Sequence, residues 1–120
     1  MPDPTPILDQ TVSVSFDPTA NPQFTFDKPS VEMTKAGKVI LVQTPASAPW
    51  TFRNAVVKDD VLQEFSSVVQ GNGNSLQISD AFRDQQKQSY SYDVTVELDG
   101  TTYTSPDPEI VNDPGSSVDD

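Results

Sequence analysis

The chain predicts an all-β fold, an antiparallel immunoglobulin-like β-sandwich, with a small β-barrel as the alternative closure. Three observations carry the prediction. Tyr90, Tyr92, Val94, Val96 and Leu98 share one face of an alternating run whose other face is Ser91, Asp93, Thr95 and Glu97. That is the period of two that a half-buried strand imposes. About seven or eight strand-sized segments recur along the 120 residues, separated by Pro, Gly, Asn and Asp, and few stretches carry the 3.6-residue spacing of an amphipathic helix.

The elements follow in order. Three prolines among the first six residues make residues 1–10 an extended, flexible lead-in, because each proline fixes its own φ and biases its predecessor away from helix. Thr11 to Phe16 alternates, with Val12, Val14 and Phe16 on one face. Asp17-Pro18 and Asn21-Pro22 mark a turn, after which Gln23 to Phe26 and Val31 to Met33 are short strand candidates. Lys35 to Lys38 turns into Val39-Ile40-Leu41-Val42, an apolar β-branched run suited to a strand covered on both faces. Pro45 and Pro49 close it.

Trp50 and Phe52 then share a face, with Trp50 read as core filler, and Ala55 to Val57 continue that piece or begin the next. Val61 to Phe65 suits a helical turn while Ser66 to Val69 suits a strand, so that stretch stays open between the two. Gly71-Asn72-Gly73-Asn74 is a turn signal; Leu76 and Ile78 alternate after it, and Asp80 suits the cap of a short helical turn over Ala81 to Asp84. Gln85 to Gln88 is a polar loop. Asp99-Gly100 is a two-residue hairpin signal that returns the long strand as Thr101 to Thr104. Glu109-Ile110-Val111 is a last short strand. One domain over residues 11–112 results, with an acidic disordered tail at 113–120.

Composition removes many functions. With neither cysteine nor histidine in the chain, disulfides, zinc-thiolate sites, cysteine nucleophiles, Ser-His-Asp triads and the usual copper and zinc ligands are excluded, and no cofactor is expected. Eighteen acidic residues against seven basic ones give a net charge of −11, which repels phosphate over roughly 8 Å. Nucleic acid and anionic membranes are therefore not expected partners, and a protein partner is unspecified. No apolar run approaches the roughly 20 residues that span a bilayer, and Met1 to Pro6 lacks the basic and apolar regions of a signal peptide. The expected location is cytoplasmic.

The remaining machinery is carboxylate, hydroxyl, lysine amine and water. Four of the eleven prolines follow aspartate, at Asp3-Pro4, Asp17-Pro18, Asp107-Pro108 and Asp113-Pro114, and turn initiation accounts for such pairs in general. Asp107-Pro108 differs because it lies between two strand-like segments that would hold an attack geometry, and orientation of this kind is worth roughly 7 to 11 kcal/mol of barrier. Asp107 would attack its own carbonyl to give a cyclic anhydride, or activate a water to do so. A second carboxyl would protonate the departing proline nitrogen, and Asp80, Asp93, Asp99 and Glu109 are the candidates. Lys87 is the candidate amine for a competing isopeptide crosslink to Asp107, against the simpler reading of a solvated loop lysine.

Tyr90 to Glu97 followed by Asp99 to Asn112, with Ser105-Pro106-Asp107-Pro108-Glu109 at its centre, resembles the C-terminal signature of the bacterial DP-EP family of small β-sandwich proteins. The resemblance covers about a fifth of the chain. It implies a sandwich over nearly the whole chain and aspartate-dependent self-cleavage between Asp107 and Pro108, a self-cleaving aspartic peptidase whose docked partner is its own C-terminal strand. The motif departs from the fuller pattern in continuing as Glu109-Ile110 without a second proline, and Ser89 and Ser91 stand where a lysine partner would be convenient, which favours cleavage over crosslinking. The alternative is a noncatalytic sandwich acting as a binding or structural accessory protein, with Asp107-Pro108 as a rigid turn.

Overall fold

The computed structural model describes residues 8–20, 23–45, 47–105 and 108–114. Residues 1–7, 21–22, 46, 106–107 and 115–120 lie outside it, and with them most of the expected lead-in, most of the tail and Asp107. The described chain forms ten strands: β1 (Leu8–Phe16), β2 (Phe24–Phe26), β3 (Ser30–Met33), β4 (Gly37–Gln43), β5 (Thr51–Val57), β6 (Phe65–Gln70), β7 (Ser75–Asp80), β8 (Gln88–Leu98), β9 (Thr101–Ser105) and β10 (Glu109–Asn112). They build two sheets. One runs β2-β1-β4-β7-β6; the other runs β3-β10-β8-β5, with β9 also on β8.

The two sheets form a β-sandwich and do not close into a barrel. Each presents the apolar face of its alternating strands to the other. Val12, Val14, Val39, Leu41, Leu76 and Ile78 come from the first sheet, and Val31, Met33, Phe52, Tyr92, Val94, Val96 and Ile110 from the second, all in one buried cluster. Trp50 fills the core at 2 % exposure, edge-on to Phe52 at 5.1 Å.

Several local expectations change. The pairings β1 with β4 and β10 with β3 are parallel, so the sheets are mixed rather than purely antiparallel. β1 begins at Leu8, three residues ahead of Thr11, because Gly37, Lys38 and Val39 of β4 pair with Leu8, Asp9 and Gln10. β4 is buried on one face only: Val39 and Leu41 point inward while Ile40 and Val42 are half-buried on the other side. The open stretch resolves as β6 preceded by turns.

The helical turn expected over Ala81 to Asp84 is absent. Asp80 Oδ1 does accept the Phe82 amide at 2.9 Å, as a cap would, but Phe82 takes φ 58°, which ends helical winding. Glu64 then captures the Arg83 amide at 2.7 Å and, through its carbonyl, the Ala81 amide at 2.8 Å. The expected Asp99-Gly100 turn forms with φ 54° and 80°, matching the left-handed pair of a two-residue hairpin.

Candidate functional site

β8 organises the C-terminal region. Its residues 94–97 pair β5 on one edge and β9 on the other, while Gln88 to Ser91 pair β10. Ser91 also accepts the Lys58 amide from the β5 side, so β9 and β10 lie in line along a single edge of β8. Ser105 faces Val94 and Glu109 faces Ser91. Between those pairs the returning chain has three residues, 106–108, and β8 has two, Tyr92 and Asp93, so the register steps by one. Asp107 falls in that interval but outside the described residues.

Pro108 is described and is held firmly. It is buried, its carbonyl accepts the Tyr92 amide at 3.0 Å, and the next amide, Glu109, donates to the Pro29 carbonyl at 2.8 Å. From there β10 runs between β3 and β8 as an interior strand, with Ile110 and Asn112 turned inward at 0 % exposure. Proline lacks an amide hydrogen, so it suits the point where one ladder ends and another begins.

The candidate second carboxyls separate by position. Asp93 lies on β8 beside the register step, on the solvent-facing side, with Lys58 Nζ 3.3 Å from its Oδ1. Glu109 is the first residue of β10, half-buried, opposite Ser91. Both are near Pro108. Asp99 sits in the hairpin turn, beyond the whole of β9, about 17 Å of strand from the step. Asp80 lies with Asn112 at the far end of β10, about 13 Å along the strand from Pro108. Lys87 precedes Gln88, which pairs with Asn112, so it lies at that same far end and the structure does not bring it to Pro108. The lysine beside the step is Lys58. Sequence order hides it, because only the β5–β8 register places it there.

A second polar group lies at the far end of β10. Asn112 Nδ2 donates to Asp84 Oδ2 at 2.8 Å, to Asp80 Oδ1 at 3.1 Å and approaches Glu64 Oε1 at 3.3 Å. Tyr90 donates its hydroxyl to Asp84 Oδ1 at 2.6 Å. All three carboxylates are buried, Glu64 at 4 %, Asp80 at 2 % and Asp84 at 8 % exposure. Burial pushes Glu64 up to about 7 and Asp80 up to about 6, against the amide bonds from Arg83 and Phe82. Burial opposes the charge on Asp84 as well, but hydrogen bonds from Tyr90 and Asn112 outweigh it and hold that carboxyl below its ordinary value. Among the described residues, no group of three or more acidic side chains has the arrangement to hold a metal ion. Sequence reasoning singled out only Asp80 of this group, because its members come from four separate segments; the inward phase of Ile110 extended to Asn112 was the one available signal.

The fold and the C-terminal strand order define a small all-β sandwich whose last strand is an interior strand set off by an Asp-Pro link. Residues 8–114 match the DP-EP family, and the chain belongs to that family. No curated protein matches it. Among solved structures, the NMR structure of a protein from Bacteroides thetaiotaomicron is similar at 16 % identity and a TM-score of 0.40, over 98 % of each chain.

Proposed function

We propose that this chain cuts its own Asp107–Pro108 bond by an aspartate-dependent reaction and retains the C-terminal segment from Pro108, docked through strand β10. In the intramolecular route a carboxylate oxygen of Asp107 attacks its own carbonyl carbon, and the C–N bond to Pro108 breaks as the nitrogen takes up a proton. The resulting cyclic anhydride then adds water to restore the Asp107 side chain and create a new C-terminal carboxylate. In the alternative route Asp107 activates the water directly. Of the four candidate carboxyls, Asp93 and Glu109 flank Pro108 in the strand register and are the candidates for supplying the proton.

The position of Pro108 is the observation that carries this reading. Its carbonyl is tied to Tyr92 and the following amide to Pro29, so the leaving side of the bond is anchored, while Ser105, the last described residue before it, belongs to the β8–β9 ladder. A fragment starting at Pro108 keeps its backbone bonds to both β3 and β8. The resemblance carried by Ser105 to Glu109 implies the same reaction. Intact mass after prolonged incubation tests it: fragments 1–107 and 108–120 are expected from the natural sequence and from neither Asp107→Asn nor Pro108→Ala. A single full-length mass leaves the noncatalytic sandwich as the function.

A further inference from the structure

We propose that the buried cluster of Glu64, Asp80, Asp84, Tyr90 and Asn112 is a proton-held clasp on the end of β10, closed while Glu64 and Asp80 carry protons and loosened when they ionise. The inference stands whether or not the Asp107–Pro108 bond is cut.

The hydrogen count leaves room for a bound proton. Asn112 has two amide hydrogens but faces oxygens of three carboxylates, Tyr90 and the Arg83 and Phe82 amides bring one hydrogen each, and two carboxylate oxygens still go without. Glu64 Oε2, Asp80 Oδ2 and the fully buried Asn112 Oδ1 have no hydrogen-bond partner. A carboxylic acid hydrogen on Glu64 or Asp80 adds the missing donor, and for Glu64 the neighbouring Asp84 carboxylate is the acceptor. Three buried carboxylates without a cation among them repel one another. Among the described residues no ion pair reaches the cluster. Lys38 of β4 and Arg83 line the groove beside Glu64 and Asp80 without pairing to them. From the turn before β6, Asp60 adds a further carboxylate, engaged by the Glu64 and Phe65 amides at 3.0 and 3.1 Å. The raised titration of Glu64 and Asp80 agrees with this geometry.

The clasp matters for β10 because Asn112 is its last residue. The next amide, Asp113, donates to the Met33 carbonyl at 2.8 Å and so reports whether the strand end is closed. The test uses the full uncleaved chain carrying Asp107→Asn. Amide exchange at Asp113, corrected for the intrinsic pH dependence, is expected to lose protection by about tenfold or more between pH 5 and pH 8. Glu64→Gln, which keeps a neutral side chain at every pH, is expected to flatten that loss. The carbon-13 shift of the Glu64 carboxyl needs no variant at Glu64 and is expected to titrate near neutrality. Titration in the ordinary carboxylate range, or protection that does not change with pH, overturns the proposal. So does restoration of protection at pH 8 by millimolar calcium, since the cluster would then be taking a cation in place of protons.

Discussion

Pro108 and Asn112 mark the two ends of the inward-facing row of β10, and each does what its chemistry allows. Pro108 cannot donate a backbone hydrogen bond, so it sits where the β9 ladder has ended, and its carbonyl alone is bound. Asn112 is fully buried and stable there only because its amide hydrogens meet carboxylates. Replacing Asn112 with Ala removes a donor shared by three acids and is expected to cost about 2 to 4 kcal/mol in urea denaturation at pH 6. A cost within error of zero would mean that the cluster does not hold the strand. None of this was legible in the sequence beyond the inward phase of the strand. Asn112 meets Glu64 across 48 residues, a separation that no local pattern encodes. The Asp107-Pro108 dipeptide could be singled out from sequence because its chemistry lies in the two residues themselves. Lys87 is close to β8 in sequence, whereas Lys58 meets Asp93 across the sheet.

At the scale of elements, alternation was a reliable guide where one face is buried and the other solvated. β8 shows it over Tyr90 to Val96, and β1 and β7 show it over shorter spans. It failed where burial does not alternate: β6 has exposed Ser66, Ser67 and Val68 in succession, so no period of two survives in its sequence. The Ala81 to Asp84 error has a different origin, since an aspartate that caps a helix and one that closes a non-helical turn accept the same amide two residues on. Turn chemistry was firmer. Gly73 has φ 93° and a Cβ there would stand 2.7 Å from Thr51 Cβ, while its carbonyl accepts the Phe52 amide at 2.8 Å. Gly73→Ala is expected to destabilise by about 2 kcal/mol, from backbone strain and the forced shift at the start of β5, as read from the denaturation midpoint. Ile110→Ala is expected to cost about 2 to 5 kcal/mol by leaving a cavity between the sheets. In cleaved protein it should also release the C-terminal fragment, which native mass measurement would detect.

For the molecule as a whole, the sandwich was predictable from strand spacing and turn residues, but not its topology. The parallel pairs β1–β4 and β10–β3 join strands on either side of changes of sheet, since the chain leaves the first sheet for β3, returns to it for β4 and crosses again before β8, and none of these crossings leaves a mark in hydrophobic pattern. Stability should follow the buried acids. Glu64 rises from 4.5 to about 7 and Asp80 from 3.8 to about 6 on folding, so the folded chain binds more protons than the unfolded one between those values. The stability they contribute is full below about pH 4 and is lost as pH rises through 6 to 7. Asp84 is held below its ordinary value and acts oppositely, its contribution being lost as pH falls below the usual carboxylate range. Denaturation midpoints are therefore expected to fall from pH 5 to pH 8 and to level off above it, with Glu64→Gln reducing the slope. The net charge of −11 adds repulsion in the same direction, so a slope unchanged by Glu64→Gln would assign the effect to overall charge instead.

Mass measurement on one aged sample, under native and then denaturing conditions, tests the central claim most directly. Two denatured masses are expected, for residues 1–107 and 108–120, whose sum exceeds the full chain by one water, with a single native mass equal to that sum. An intact denatured mass, or cleavage that persists in Asp107→Asn, would contradict it.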